Sequence, residues 1–166
     1  MKMMRVLVPL AALLLSGCWY GYSRMPASEA DAIKLGTRYQ EDVAGKVTFF
    51  RLTPGEGKSY IVFEQKDGET AVTVYDIIFD RLANGIYLGQ QHPADEDEFY
   101  YFLLKPAGSN LLYLPLNCDA DTTREPGVTF HAEDNSCEFD SYKAVRAAAL
   151  KRIKTATGYR QLTLQP

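Results

Sequence analysis

The sequence predicts a mainly β protein of the α+β type: an antiparallel β-meander or small open barrel of six to eight strands, with one C-terminal amphipathic helix. Three observations lead to this prediction. Six segments between residues 47 and 116 are rich in β-branched and aromatic residues. Turn sequences containing glycine separate several of them. After residue 139, apolar residues recur every three or four positions, as in a helix.

The six predicted strands share a high content of residues that favour extended backbone. They are residues 47–52, 59–65, 70–79, 85–91, 98–104 and 110–116. The turns include Asp67-Gly68 and Asn84-Gly85, which favour tight hairpins because both central residues of a type I′ turn need positive φ. Consecutive hairpins give an antiparallel meander. Residues 128–132 and 137–139 would raise the number of strands to seven or eight.

A single helix is predicted from residue 141 to about residue 155. Its apolar stripe consists of Phe139, Tyr142, Val145, Ala149 and Ile153. Asp140 or Ser141 suits the N-cap, and Gly158 ends the segment. Residues 159–164 are predicted to form a last edge strand, and Ser28 favours one short helical turn near the start of the domain.

The first 17 residues have the layout of a secretory signal peptide. Lys2 and Arg5 make the start basic, and residues 6–15 form an uninterrupted apolar run. Ten residues in a helix span only ~15 Å, about half of a bilayer core, which argues against a permanent membrane span. Small residues, Ser16 and Gly17, follow the run.

The leader ends in Leu15-Ser16-Gly17-Cys18, which resembles the lipobox of bacterial lipoproteins. The resemblance covers only the leader, and all four positions fit. It implies that the leader is cut before Cys18, that the Cys18 thiol carries a lipid, and that the new amino terminus is acylated. Two or more acyl chains make membrane attachment durable. In this class an Asp after the modified Cys favours the inner membrane, whereas Trp19 stands here, which implies the outer membrane, facing the periplasm.

The resulting organisation is a signal peptide (1–17), a lipidated Cys with a tether (18–27) and a single domain (28–166). Gly21 and Pro26 are expected to keep the tether free of regular structure. Trp19, Tyr20 and Tyr22 either lie at the bilayer interface or fold back onto the domain, and the sequence leaves both alternatives open.

Composition excludes one class of partner. Removing the leader would leave 149 of the 166 residues and change the formal charge from −3 to −5, because the leader contains two basic and no acidic residues. The sequence has no basic patch, so nucleic-acid binding is excluded.

Cys118 and Cys137 are predicted to form a disulfide, because two thiols in an exported protein pair by default. A role as metal ligands is disfavoured, since neither belongs to a C-x-x-C sequence and the chain has only two histidines. His92 and His131 each stand near acidic residues, but their spacing defines no coordination geometry, so no metal site or cofactor is predicted. No catalytic motif is found either.

The predicted function is therefore a non-enzymatic binding or structural module for an envelope partner, either a protein or peptidoglycan, anchored through acylated Cys18. Two alternatives remain: a lipocalin-like carrier of a small apolar ligand, although the G-x-W signature is missing, or an envelope inhibitor of a lytic enzyme. An interior cavity above ~300 Å³ would favour the carrier. Its candidate lining residues are Tyr60, Val62, Phe99 and Tyr101.

Overall fold

The computed structural model describes residues 18–166. These residues form eleven strands, one α-helix and a short 3-10 helix, Thr122–Arg124. The strands are β1 (Trp19–Gly21), β2 (Arg38–Val43), β3 (Lys46–Pro54), β4 (Tyr60–Lys66), β5 (Thr73–Ala83), β6 (Ile86–Pro93), β7 (Phe99–Ala107), β8 (Asn110–Pro115), β9 (Val128–His131), β10 (Ser136–Phe139) and β11 (Arg160–Leu164). The helix α1 is Tyr142–Arg152. The predicted signal peptide, residues 1–17, lies outside the described residues.

Eight strands close into an antiparallel barrel in the order β2-β3-β4-β5-β6-β7-β8-β11, with β11 paired back to β2. The predicted mainly β fold with one helix near the C-terminus is confirmed. The expected edge strand is instead the strand that closes the barrel: Leu162 lies opposite Leu111 on β8, and Leu164 opposite Tyr39 on β2. The sequence did not predict β2, and residues 27–29 form a turn rather than a helical segment.

Two-residue turns join some of the barrel strands, and longer segments join the others. Asn84 and Gly85 have φ of 53° and 72°, the positive pair expected of a type I′ turn. Ala44 and Gly45 adopt a similar pair, with φ of 53° and 79°, and Asp42 Oδ1 accepts a hydrogen bond from the Gly45 N–H at 2.9 Å. We call the barrel end with the turns at 44–45, 67–72 and 94–98 the proximal end, and the opposite end the distal end.

The remaining elements form an outer layer on one side of the barrel. Strand β1 pairs with the first residues of β7 and, in parallel, with β10, which pairs with β9. The helix packs beside them through its buried face of Tyr142, Val145, Ala148 and Ala149. The Ser141 side chain caps the helix by accepting a hydrogen bond from the Ala144 N–H.

Two separate hydrophobic cores result from the alternation of side chains along the barrel strands. The interior core includes Leu52, Val62, Ile77, Phe79 and Leu104. The outer core lies between the outer layer and the outer faces of β6 and β7, and it includes Trp19, Leu88, Leu103, Phe139 and Val145.

Residues 18–27 do not form the predicted tether, and this prediction is wrong. Trp19 and Met25 are almost completely buried, and residues 19–21 form β1. The Trp19 Nε1–H donates to the Asn117 carbonyl at 3.0 Å, and its ring lies 4.8 Å from that of Phe139. Of the two alternatives for Trp19, folding back onto the domain is the correct one. Burial of the indole outweighs the effect of Gly21 and Pro26 on regular structure.

The predicted disulfide between Cys118 and Cys137 is confirmed, with a Cα–Cα distance of 5.3 Å. It joins the segment that follows β8 to β10, so it staples the outer layer to the barrel. Among residues 18–166, no helix is both long and apolar enough to cross a bilayer.

Candidate functional site

A surface groove of about 470 Å³ lies on the side of the barrel formed by β2, β3 and β4. It is lined by Arg38, Tyr39, Phe49, Phe50, Arg51, Phe63, Gln65, Val72, Gln165 and Pro166. Within β3 and β4, Phe49, Arg51, Phe63 and Gln65 alternate with residues that face the interior, so they point outward. The barrel order places β3 opposite β7, and the outer layer therefore covers the other side of the barrel.

Two arginines lie directly opposite each other in this groove. Arg38 on β2 is the cross-strand partner of Arg51 on β3. The Leu52 N–H donates to the Thr37 carbonyl at 2.8 Å, which makes Arg38 and Arg51 a non-hydrogen-bonded pair, the kind with the closer side chains. Like charges at such a position destabilise a sheet. Within residues 18–166, neither guanidinium is in an ion pair. No carboxylate of the described residues therefore lies within ion-pair distance of either guanidinium, and both side chains are exposed.

Aromatic rings border the two guanidinium groups. The Arg51 guanidinium carbon lies 4.1 Å from the centroid of the Phe63 ring, a cation–π contact. Phe49 is 42 % exposed and Val72 is 49 % exposed, although both are large apolar side chains. The groove therefore combines two cations with an accessible apolar surface, an arrangement that suits a ligand with an anionic group beside an apolar one.

Cys18 lies on the other side of the barrel, at the proximal end. It forms an antiparallel bridge with Asn117, just after β8 ends, and its carbonyl accepts a hydrogen bond from the Cys137 N–H at 3.1 Å. Burial, and secondarily the charge of Asp134, raises the pKa of the Cys18 thiol. The residue predicted to carry the lipid is thus part of the folded domain.

Three tyrosine hydroxyls near Cys18 donate hydrogen bonds to glutamates. Tyr20 donates to Glu138 at 3.1 Å. The two other pairs are Tyr22 with Glu98 at 3.3 Å and Tyr100 with Glu96 at 2.7 Å. Burial, followed by the bond to Glu138, raises the pKa of Tyr20 to about 12. These hydroxyls stay protonated, and the carboxylates give this end of the barrel an acidic surface.

The four predicted ligand-lining residues are divided between the two cores, so Phe99 and Tyr101 do not face the barrel interior. Tyr60 and Val62 belong to the interior core, whereas Phe99 and Tyr101 belong to the outer core. The Tyr60 hydroxyl donates to the Ile33 carbonyl at 2.7 Å, so a segment before β2 packs against this ring. The two pairs enter different cores because side chains alternate along a strand. Phe99 and Tyr101 lie four and two residues before Leu103 on β7, so they share its outward face.

Polar groups occupy the proximal part of the interior. Glu41 is almost completely buried, and its Oε1 lies 3.6 Å from the Arg160 guanidinium. Nearby, the Tyr75 hydroxyl donates to Glu64 at 3.2 Å, and burial raises the pKa of Glu64. Charge and hydroxyl groups therefore meet inside the barrel, where a carrier of an apolar ligand would need an apolar surface.

The two histidines make local contacts. His92 packs on Phe99 with 4.7 Å between ring centroids, and its Nε2 lies 2.9 Å from the Glu96 carbonyl oxygen. His131 Nε2 lies 2.9 Å from Glu138. In the part of the chain that the structure describes, no three His, Cys, Asp or Glu side chains are grouped as a metal site requires.

The groove is not among the features that the sequence predicts. Its one available signal was the alternation in VTFFRL, residues 47–52, which separates Phe49 and Arg51 from Phe50 and Leu52. Arg38 lies on β2, a strand that was not predicted. Its position opposite Arg51 follows from the register between β2 and β3, which cannot be read from the sequence.

The architecture defines a closed eight-stranded antiparallel barrel with an outer layer and a cationic, aromatic groove on its uncovered side. No family model matches the chain, and neither the curated proteins nor the solved structures include a significant match.

Proposed function

We propose that this protein is an outer-membrane lipoprotein whose barrel is a non-enzymatic binding module, anchored through acylated Cys18 and facing the periplasm. The observation that carries the binding role is the pair Arg38 and Arg51, placed opposite each other without a carboxylate partner. A carboxylate bound between the two guanidinium groups would relieve their mutual repulsion.

The proposed ligand is a carboxylate-bearing peptide segment of an envelope protein. A carboxylate accepts hydrogen bonds from guanidinium groups in a well-defined planar geometry. The neighbouring Phe49 and Phe63 rings would pack against an apolar side chain of the same segment. Such a ligand would contact both kinds of side chain in the groove, the guanidinium groups and the aromatic rings.

The position of the groove supports this proposal. Arg38 is the first residue of β2 and lies toward the distal end, whereas Cys18 lies at the proximal end on the opposite side of the barrel. An anchor at Cys18 would therefore leave the distal part of the groove, with Arg38, open to the periplasm, while Val72 lies in the proximal turn 67–72. The carrier alternative has less support, because its four candidate lining residues are divided between two cores.

Site-specific photo-crosslinking in cells tests the binding role. A photoreactive phenylalanine analogue at position 49, which is half exposed, should give a discrete adduct with a polypeptide. Hydrogen bonds to charged groups contribute ~1.5–3 kcal/mol each, so R38A/R51A should reduce the adduct by about tenfold or more. The matched control K105A/K143A removes two exposed cations outside the groove and should leave the adduct unchanged.

Three outcomes would contradict the proposal. A muropeptide adduct would assign the groove to peptidoglycan. An adduct that survives R38A/R51A would separate binding from the arginine pair, and the absence of any adduct at position 49 would exclude the groove as the contact surface.

A further inference from the structure

We infer that no free linker separates the lipid anchor from the domain, so that the proximal end of the barrel lies directly on the bilayer surface in one orientation. This inference rests on the proposed acylation of Cys18. Its structural basis is that the backbone is already paired at the anchored residue. The Cys18 carbonyl accepts from the Cys137 N–H, and the Trp19 N–H donates to the Leu116 carbonyl at 2.9 Å.

The attachment resists bending because Trp19 is part of the outer core. Its indole is 1 % exposed and makes a hydrogen bond to the Asn117 carbonyl. Moving the domain away from the membrane would require β1 to leave its place between β7 and β10 and would expose this ring to water. A flexible linker would impose no such cost.

The surface around the anchor has the side chains that favour a membrane interface. Alternation along β1 places Cys18 and Tyr20 on the same face and Trp19 on the other. The Tyr20 ring lies 6.1 Å from that of Tyr22 and 6.5 Å from that of Tyr100, and Tyr22 is 55 % exposed. Tyrosine is favoured at headgroup depth because its ring is apolar and its hydroxyl is polar.

The negative charge of this surface determines which lipid headgroups it can contact favourably. The three hydroxyls of this cluster are bound to Glu138, Glu98 and Glu96, so carboxylates surround the rings. Carboxylates attract the ammonium group of a zwitterionic headgroup and are repelled by an anionic surface. The partner is therefore a bilayer surface rich in ethanolamine headgroups.

Headgroup quenching of a reporter tryptophan measures this orientation. The full-length gene would be expressed in cells, and the acylated protein would be extracted and reconstituted into phosphatidylethanolamine vesicles that contain a nitroxide-headgroup lipid. Tyr22→Trp reports on the proximal end, and Leu164→Trp, at a 36 % exposed position at the distal end of β11, is the matched control. The emission of the wild-type protein, which has a single Trp, is subtracted from both.

We expect loss of emission for Tyr22→Trp and none for Leu164→Trp. A Gly–Ser linker of ~10 residues between Cys18 and Trp19, which spans ~17 Å as a flexible coil, should abolish the loss. Raising the phosphatidylglycerol fraction should reduce it. Equal quenching at both positions, or quenching that the linker leaves unchanged, would overturn the inference. Mass spectrometry of the same samples shows whether acylation itself has failed, so the two failures are distinguishable.

Discussion

Asp80 on β5 and Arg146 on α1 form an ion pair with 2.6 Å between Oδ2 and Nε. The Asp80 side chain is almost completely buried, and the same oxygen accepts a hydrogen bond from the Tyr142 hydroxyl at 2.7 Å. The bond to Asp80 raises the pKa of the Arg146 guanidinium, and burial together with this carboxylate raises the pKa of Tyr142 well above its ordinary range. One carboxylate thus joins the helix to the barrel at two points.

Replacing Asp80 by Ala should destabilise the domain strongly. The substitution leaves the Tyr142 hydroxyl buried without its acceptor, while Arg146, one-third exposed, is partly rehydrated. We expect a loss of about 2–3 kcal/mol in the free energy of unfolding, below the 3–5 kcal/mol of a fully buried pair. Urea denaturation measures it. The control Asp76→Ala changes an exposed carboxylate on the same face of β5 and should cost much less; equal losses would contradict this account.

Removing the disulfide should lower stability without abolishing the fold. The bond closes a loop with a sequence separation of 19 residues, for which the chain-entropy relation gives about 3 kcal/mol. The C118A/C137A variant should therefore unfold at a lower temperature while keeping its β-type circular dichroism. The eight-stranded barrel lies outside the bridged loop and remains intact. A random-coil spectrum at room temperature would show that the bond is required for folding.

Acylation at Cys18 predicts a defined mass for the extracted protein. Mass spectrometry should find a chain that begins at residue 18 and carries added acyl mass. Cys18→Ser should leave the precursor uncut or release the protein from the membrane fraction. A chain that begins at Met1, or is cut elsewhere, would refute the anchor.

The contribution of His131 to stability should depend on pH. Its hydrogen bond to Glu138, with a smaller effect of Glu133, raises the pKa of His131. A raised folded-state pKa stabilises the domain at pH values below the unfolded pKa of about 6.5, and this stabilisation is lost as the pH rises through the folded-state value.

Comparison with His131→Gln isolates this effect. The difference in unfolding free energy between the wild-type protein and the variant should be larger at about pH 6 than at about pH 8.5, where both side chains are neutral. A difference that is constant across this interval would mean that His131 contributes through its neutral contacts, such as packing against Tyr20.

The features that the sequence predicted correctly are those with a local signal. Asn84-Gly85 marks a hairpin because its conformational requirement lies within two residues, and Ser141 caps its helix within one turn. The disulfide followed from the expected compartment and the cysteine count. Strand β2, RYQEDV, alternates weakly because Glu41 faces the interior, where Arg160 is its partner.

Features that depend on distant pairing could not be predicted. Closure of the barrel requires β11 to lie between β8 and β2. The sequence of residues 160–164 does not indicate which strands it pairs with. The groove depends on the register that puts Arg38 opposite Arg51. The division of the four expected ligand-lining residues between two cores has the same origin, since the position of each residue along its strand decides whether its side chain faces the interior or the outer layer.

The position of β1 also imposes an order on folding. Tyr20 lies opposite Tyr100 on one side and Glu138 on the other, so within residues 18–166 the partners of β1 follow it by about 80 residues or more. Under the proposed export, Trp19 would have no complete sheet to join until Phe139 had crossed the membrane. The segment around Cys18 would then not yet be part of the sheet during this proposed translocation and would become fixed only when folding is completed. Modification of Cys18 and folding of the domain would then occur in sequence, with the last pairing step drawing the barrel onto the membrane.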